Sequence, residues 1–207
     1  MLSKSEITKI TYKAVFAVLG LSSVLLEIVV LLDRGVFNPG NFFSFFTILS
    51  NIFAAVMLLA SAAFVYRGKA SRKLDFFRGA AALYMTLTGV VFAVLLSSID
   101  PRLLTAVPWD NTVLHYIMPV VLLVDWLVDK PSRPVKLRYA AWWLVVPVAY
   151  VAYSLIRGPI VGWYPYPFLN PQNGGYGAIF ATCVGITAFT VVATFLLLKL
   201  QRPNGAK

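Results

Sequence analysis

The sequence predicts an all-α integral membrane protein with six transmembrane helices and both termini in the cytoplasm. Of its 207 residues, 59% are hydrophobic and only 13% are charged, whereas soluble domains usually carry about 25% charged residues. The apolar residues form six long runs, and the basic residues lie in the gaps between them. Lipid is therefore the expected solvent. The net charge of +10 does not indicate nucleic-acid binding, because the basic residues follow no single face.

Each run is close to the length of about 20 residues that crosses about 30 Å of hydrocarbon. The first follows a basic flank, but it is too long for a secretory signal and lacks a small-residue cleavage site, so it is expected to be retained. The second, third and sixth have no charged residue before their last positions; the fourth and fifth are shorter, and each contains a proline. The predicted spans, which form one domain, are residues 12–32, 42–66, 79–98, 112–128, 139–156 and 176–198.

Lysine and arginine mark the cytoplasmic side of a membrane protein. All but three of the 18 lie at the N-terminus, after the second and fourth spans, or at the C-terminus. The three exceptions are Arg34, Arg102 and Arg157. This asymmetry predicts cytoplasmic termini in the plasma membrane, with the basic residues meeting anionic lipid headgroups.

The longest connection on the opposite side, residues 157–175, is rich in proline, glycine and aromatic residues. Aromatic side chains such as Tyr166 are typical of the membrane interface. The segment is either a simple interfacial loop or a lid that folds back over the helix ends and covers a cavity.

Three polar side chains are expected at similar depth near the outer boundary: Glu27 of the first span, Thr47 of the second and His115 of the fourth. Ionisable groups at such positions tend to face the protein interior and to serve function. Ser44, Thr47 and Asn51 also share one helical face. That face either makes hydrogen bonds between helices, as is common in membrane bundles, or lines a site.

His115 is the only histidine, and Pro119 follows it by four positions, so the helix should be disturbed there. Asp125 lies nearly three turns deeper and points elsewhere, which favours a pairing with a basic residue or a helix terminus. Glu27 could orient His115, serve as a protonated structural acid, or couple to ions. Cys183 is expected to be a packing residue. The sequence has one histidine and one cysteine, so it has no Cys/His cluster with the spacing of metal ligands. No metal site and no cofactor are predicted.

Three segments together resemble the androgen-induced protein family, which has many small prokaryotic six-helix relatives. These segments are FFSFFTILSN at 42–51, LHYIMP followed by VVLLVDW at 114–126, and GWYPYPFL at 162–169. Eukaryotic members, among them the androgen-dependent regulator of tissue factor pathway inhibitor, are described as threonine hydrolases of fatty acid esters of hydroxy fatty acids. The resemblance implies that Thr47 is the nucleophile, that His115 is the essential histidine and that Asp125 is the acidic residue ten positions later. In the animal members the proline lies about one residue further from the histidine.

The resemblance and the residues lead to one hypothesis: an intramembrane hydrolase of a lipid-like ester, with Thr47 as nucleophile and His115 as base. Its expected partners are membrane lipids and the ester itself. Ser50, Asn51 and Tyr166 are the candidate hydrogen-bond donors to the oxyanion. The alternatives are a small-solute or proton-coupled transport or binding protein, in which Glu27, His115 and Asp125 would carry protons, and a catalytically silent member of the same fold.

Overall fold

The chain folds into helices, six of which are long and apolar enough to cross a membrane. The computed structural model describes residues 2–99 and 105–201, so Arg102, Arg202 and Lys207, which contribute to the charge asymmetry, lie outside it. The six helices are α1 (Lys4–Asp33), α2 (Phe46–Tyr66), α3 (Arg72–Leu96), α4 (Pro108–Val128), α5 (Leu137–Val161) and α6 (Gly175–Leu200). The predicted all-helical class and the number of candidate spans are confirmed.

Several helices extend beyond the apolar runs that predicted them, because capping residues set where a helix begins. Ahead of α1, Ser3 Oγ accepts from the Glu6 amide at 3.2 Å, and the Glu6 carboxylate accepts from the Ser3 amide at 2.8 Å. Ahead of α3, Ser71 Oγ accepts from the Leu74 amide at 3.3 Å. In contrast, α2 begins later than predicted, because a separate short helix, Pro39–Phe42, precedes it.

Among the six helices, α3 is the most buried and α5 the least. α3 packs against α2, α4 and α6, whereas the closest backbone approach of α5 to its neighbours is at its first turn. The remainder of α5 is held mainly by large side chains such as Tyr150, which contacts Phe46 of α2. An apolar gap can therefore exist beside α5.

The N-terminal part of α1, the end of α4 and the end of α6 lie at the same end of the bundle, here called the terminal end. Lys9 Nζ lies 2.7 Å from Asp129 Oδ1 there, and the Val135 amide donates to Gln201 Oε1 at 2.9 Å. Thr47 and His115 lie towards the other end, here called the site end.

A buried ion-pair cluster joins α1, α3 and α4 at the terminal end. Lys13, which has no exposed surface, pairs with Asp125 and lies 3.0 Å from Asp129 Oδ2. Arg78 Nη2 lies 2.9 Å from Asp125 Oδ2. Asp125 thus has basic partners, as its position in the sequence predicts. Such a cluster is stable only when each charge retains its partner, since an isolated buried charge is very costly.

Candidate active site

Thr47 and His115 are in hydrogen-bond contact. Thr47 is the second residue of α2, and His115 is on α4; Thr47 Oγ1 lies 3.1 Å from His115 Nε2. Thr47 is 7% exposed and the imidazole is half-buried. This distance falls within the range in which an imidazole can take the proton of a hydroxyl.

The other imidazole nitrogen fixes which tautomer suits this contact. His115 Nδ1 lies 3.1 Å from the main-chain oxygen of Asn111. A carbonyl oxygen only accepts, so Nδ1 carries the proton and donates. Nε2 is then unprotonated and accepts from the Thr47 hydroxyl. The imidazole is thereby oriented as a base towards Thr47.

The helix around His115 is irregular, as Pro119 predicts, and the irregularity takes the form of a π-helical stretch, Val113–Ile117. The facing helix α3 also ends in a π-helical stretch, Phe92–Leu96. Such stretches often occur at functional sites, because the wider turn redirects side chains.

The segment 157–175 folds back over the site rather than lying as a simple interfacial loop. The Tyr166 hydroxyl lies 3.2 Å from both the Thr47 amide nitrogen and Thr47 Oγ1. Tyr166 and Leu169 are buried, and the Tyr166 ring stacks on Phe168 with its centroid 5.2 Å away. Burial raises the pKa of the Tyr166 phenol, so this hydroxyl keeps its proton and remains a donor.

Ser50 and Asn51 serve the backbone around Thr47. Ser50 Oγ donates to the Thr47 carbonyl at 3.2 Å and lies 3.0 Å from Thr88 Oγ1 on α3. Asn51 Nδ2 donates to the Thr47 carbonyl at 2.9 Å and to the Leu114 carbonyl of α4 at 3.2 Å. The polar face of α2 therefore bonds between helices and, at Thr47, also lines the candidate site.

Glu27 does not orient His115. Its carboxylate accepts from Thr105 Oγ1 at 2.8 Å and from the amides of Ala106 and Val107 at 2.7 and 3.2 Å. The main-chain oxygen of Asn111, and not the Glu27 carboxylate, accepts the hydrogen bond from His115 Nδ1. Asp125 lies in the ion-pair cluster at the terminal end and does not meet Thr47 or His115.

Two cavities meet at the Thr47–His115 contact. The larger, of about 310 Å³, extends towards Glu27, Arg34 and Thr105. The smaller, of about 60 Å³, is a narrow apolar slot beside α5 and α6. The slot is lined by hydrophobic side chains that include Leu87, Val91, Pro147, Val151 and Ile186. Thr47, His115 and Tyr166 line both cavities, so a molecule that spanned the two would pass over the threonine hydroxyl.

Phe92 and Asp110 are buried near the site, and neither is predicted from the sequence. Phe92 stacks on His115, but phenylalanine in an apolar run gives no signal of a site. Asp110 is fully buried, and neither of its carboxyl oxygens makes a hydrogen bond within the described residues; Ser23 and Glu27 are its polar neighbours. The fourth span is predicted to begin at residue 112, so Asp110 falls in the connection before it. A charged residue in a connection gives no signal of a buried position.

Within the described part of the chain, no three His, Cys, Asp or Glu side chains form a group that could hold a metal ion. Comparison of the sequence with protein-family models and with characterised proteins, and of the fold with solved structures, gives no match.

Proposed function

We propose that this protein is an intramembrane hydrolase of a lipid-like ester, with Thr47 as nucleophile and His115 as general base. The observation that carries the proposal is the 3.1 Å contact between Thr47 Oγ1 and His115 Nε2, with Nδ1 of the same ring held by the Asn111 carbonyl. A threonine hydroxyl is a weak nucleophile and requires an adjacent base.

The proposed reaction has two stages: Thr47 is acylated, and the acyl group is then hydrolysed. Thr47 Oγ1 attacks the ester carbonyl carbon while its proton passes to His115 Nε2. The tetrahedral intermediate then breaks its bond to the alcohol oxygen, which takes the proton from His115 and leaves an acyl group on Thr47. His115 next removes a proton from water, which attacks the acyl carbon; the fatty acid leaves and the proton returns to Thr47 Oγ1.

Tyr166 is the preferred donor to the oxyanion of each intermediate. Its hydroxyl lies beside the attacking oxygen and retains its proton. Ser50 and Asn51 are less suitable, since their donors are directed to backbone carbonyls. A single well-placed donor of this kind typically contributes about 10²–10³ in kcat.

The two cavities suggest how an ester would be oriented. The apolar slot suits the part of an acyl chain next to the carbonyl, and it lies beside α5, the helix with the fewest buried residues. The polar larger cavity suits the other half of the ester and the hydrolytic water. Entry from the lipid between α5 and α6 would bring the ester carbonyl to Thr47 without passage through bulk water.

A proton pathway through Glu27, His115 and Asp125 is less well supported. Asp125 is engaged by Lys13 and Arg78, and the Glu27 carboxylate accepts three hydrogen bonds from residues 105–107. Neither carboxylate has a hydrogen bond to His115 among the described contacts.

The proposal extends to family and location. The segments that carry Thr47, His115 and Tyr166 support the proposal that this protein is a prokaryotic relative of the androgen-induced family. The basic residues support a plasma-membrane protein whose terminal end faces the cytoplasm. Cysteine labelling from outside intact cells tests this orientation: the Gln172→Cys variant should react, and the Lys69→Cys variant should not.

The catalytic proposal is tested with purified protein in detergent and a long-chain fluorogenic ester. Turnover should fall to background in both Thr47→Ala and His115→Ala, and Thr47→Ser should retain part of it. Thr187→Ala is the matched control, because Thr187 is exposed on α6 and its hydroxyl donates to the Cys183 carbonyl of the same helix. A fluorophosphonate probe should label the wild type and not Thr47→Ala. Hydrolysis that survives both site variants would reject the assignment.

A further inference from the structure

A large groove lies at the terminal end, away from the Thr47–His115 contact. It has a volume of about 1630 Å³ and lies between the start of α3, the connection from α4 to α5, and the end of α6. Among its described lining residues, six are basic and none is acidic. The six are Arg72, Lys73, Arg133, Lys136, Arg138 and Lys199. We call this feature the basic groove.

The groove is positive because neighbouring carboxylates are directed into the ion-pair cluster. Asp75 accepts from the amide and the hydroxyl of Ser132 at 2.8 and 2.6 Å and faces Arg78. Asp125 and Asp129 pair with Lys13 and Arg78. The cations of the cluster are thus neutralised internally, whereas within the described chain the six cations of the groove form no ion pair with a carboxylate.

The groove also has an apolar wall. Phe77, Leu137 and Phe195 line it, and each is between 46% and 53% exposed. Exposed aromatic and aliphatic side chains at the end of a membrane helix suit contact with acyl chains, whereas a purely aqueous anion would leave them uncovered.

The walls are held in place before any ligand binds. The Val135 amide donates to Gln201 Oε1, and Gln201 Nε2 donates to the Val135 carbonyl, both at 2.9 Å. Gln201 is 3% exposed. This pair fastens the basic connection to the end of α6, while the Asp75–Ser132 bonds fasten it to α3. A preorganised site loses less conformational entropy on binding.

We infer that the basic groove binds an anionic glycerophospholipid, with the headgroup phosphate among the six cations and an acyl chain against Phe77 and Phe195. Basic pockets between helices at the membrane surface suit such headgroups. Six like charges in one groove repel each other. A headgroup with a net negative charge relieves this repulsion more than a zwitterionic headgroup, in which a cation offsets the phosphate.

The test uses the full-length protein in detergent, with thermal unfolding followed as phosphatidylglycerol or phosphatidylcholine is added. Phosphatidylglycerol should raise Tm, and phosphatidylcholine should not. Arg72→Gln/Lys136→Gln should raise the half-saturating concentration of phosphatidylglycerol by about tenfold or more, since each basic residue near a phosphate contributes substantially to the binding free energy. The control is Arg67→Gln/Lys69→Gln, which removes the same charges from exposed positions outside the groove.

Native mass spectrometry gives a second readout that does not depend on stability, since retained phosphatidylglycerol should be lost from the groove variant alone. The charge-keeping pair Arg72→Lys/Lys136→Arg should bind as the wild type does. The inference is overturned if phosphatidylcholine or inorganic phosphate stabilises the wild type equally. It is also overturned if the groove and control variants lose lipid to the same extent, or if the groove variant loses none.

Discussion

The rings of Phe92 and His115 stack, with centroids 4.1 Å apart and planes 26° apart. Each residue lies in a π-helical stretch, so the contact forms where both helices depart from regular geometry. Phe92 restricts the plane of the imidazole, and the Asn111 and Thr47 contacts restrict its rotation within that plane. Three contacts therefore define one orientation of the proposed base.

Phe92→Leu should release one of those restraints while the site remains apolar. We expect kcat for ester hydrolysis to fall roughly tenfold, because small misplacements of a catalytic group are costly. Phe180→Leu, at an exposed position on α6, should leave kcat unchanged. Equal rates for the Phe92 variant and the wild type would mean that the stacking does not position the imidazole.

Tyr166→Phe removes one hydroxyl and retains the ring that packs against Phe45 and Phe168. If this hydroxyl stabilises the oxyanion, kcat should fall about 10²-fold with little change in KM. Tyr164→Phe is the matched control from the same segment. A rise in KM at constant kcat would assign Tyr166 to ground-state binding instead.

Ile186→Trp should fill the apolar slot, because Ile186 lines it from α6. Turnover of long-chain esters should fall, while that of a short-chain ester such as an acetate or butyrate should persist. Val184→Trp adds the same ring at an exposed position on the same helix and should change neither. Loss of long- and short-chain turnover to the same degree would show that the slot does not hold the acyl chain.

Lys13→Met should destabilise the fold far more than Lys9→Met. Lys13 is fully buried between two carboxylates, and the loss of one member of such a cluster typically costs about 3–5 kcal/mol. The Lys9 side chain is 34% exposed, and exposed pairs contribute about 0–1 kcal/mol. Thermal unfolding in detergent measures both, and a similar loss of Tm would argue against the buried cluster.

Gly158→Ala should disturb the segment that covers the site. A Cβ at this position of α5 would overlap the ring of Tyr164, whereas one at Gly185 of α6 would meet nothing within 4 Å. We expect Gly158→Ala to lower both Tm and ester turnover and Gly185→Ala to change neither. Normal turnover in the Gly158 variant would show that the packing of 157–175 on α5 is not needed for activity.

The spans could be predicted from the sequence because lipid imposes a long apolar run on every crossing helix. Their ends could not, since caps such as Ser3 and Ser71 extend a helix beyond the apolar run. The pairing of Thr47 with His115 was accessible through matched depth and through the family resemblance. The roles of Asn111 and Phe92 were not, because a backbone carbonyl and a phenylalanine in an apolar run give no sequence signal.

The hydrogen bond from His115 Nδ1 to the main chain of Asn111 affects how this site could change through evolution. In serine hydrolases the group that orients the imidazole is a side chain, which a single codon change can delete. Here any amino acid at position 111 supplies the same oxygen, provided that the helix keeps its path. The hydrogen bond to His115 therefore sets no requirement on the type of side chain at position 111, and only the burial of that side chain beside the larger cavity restricts what can replace it.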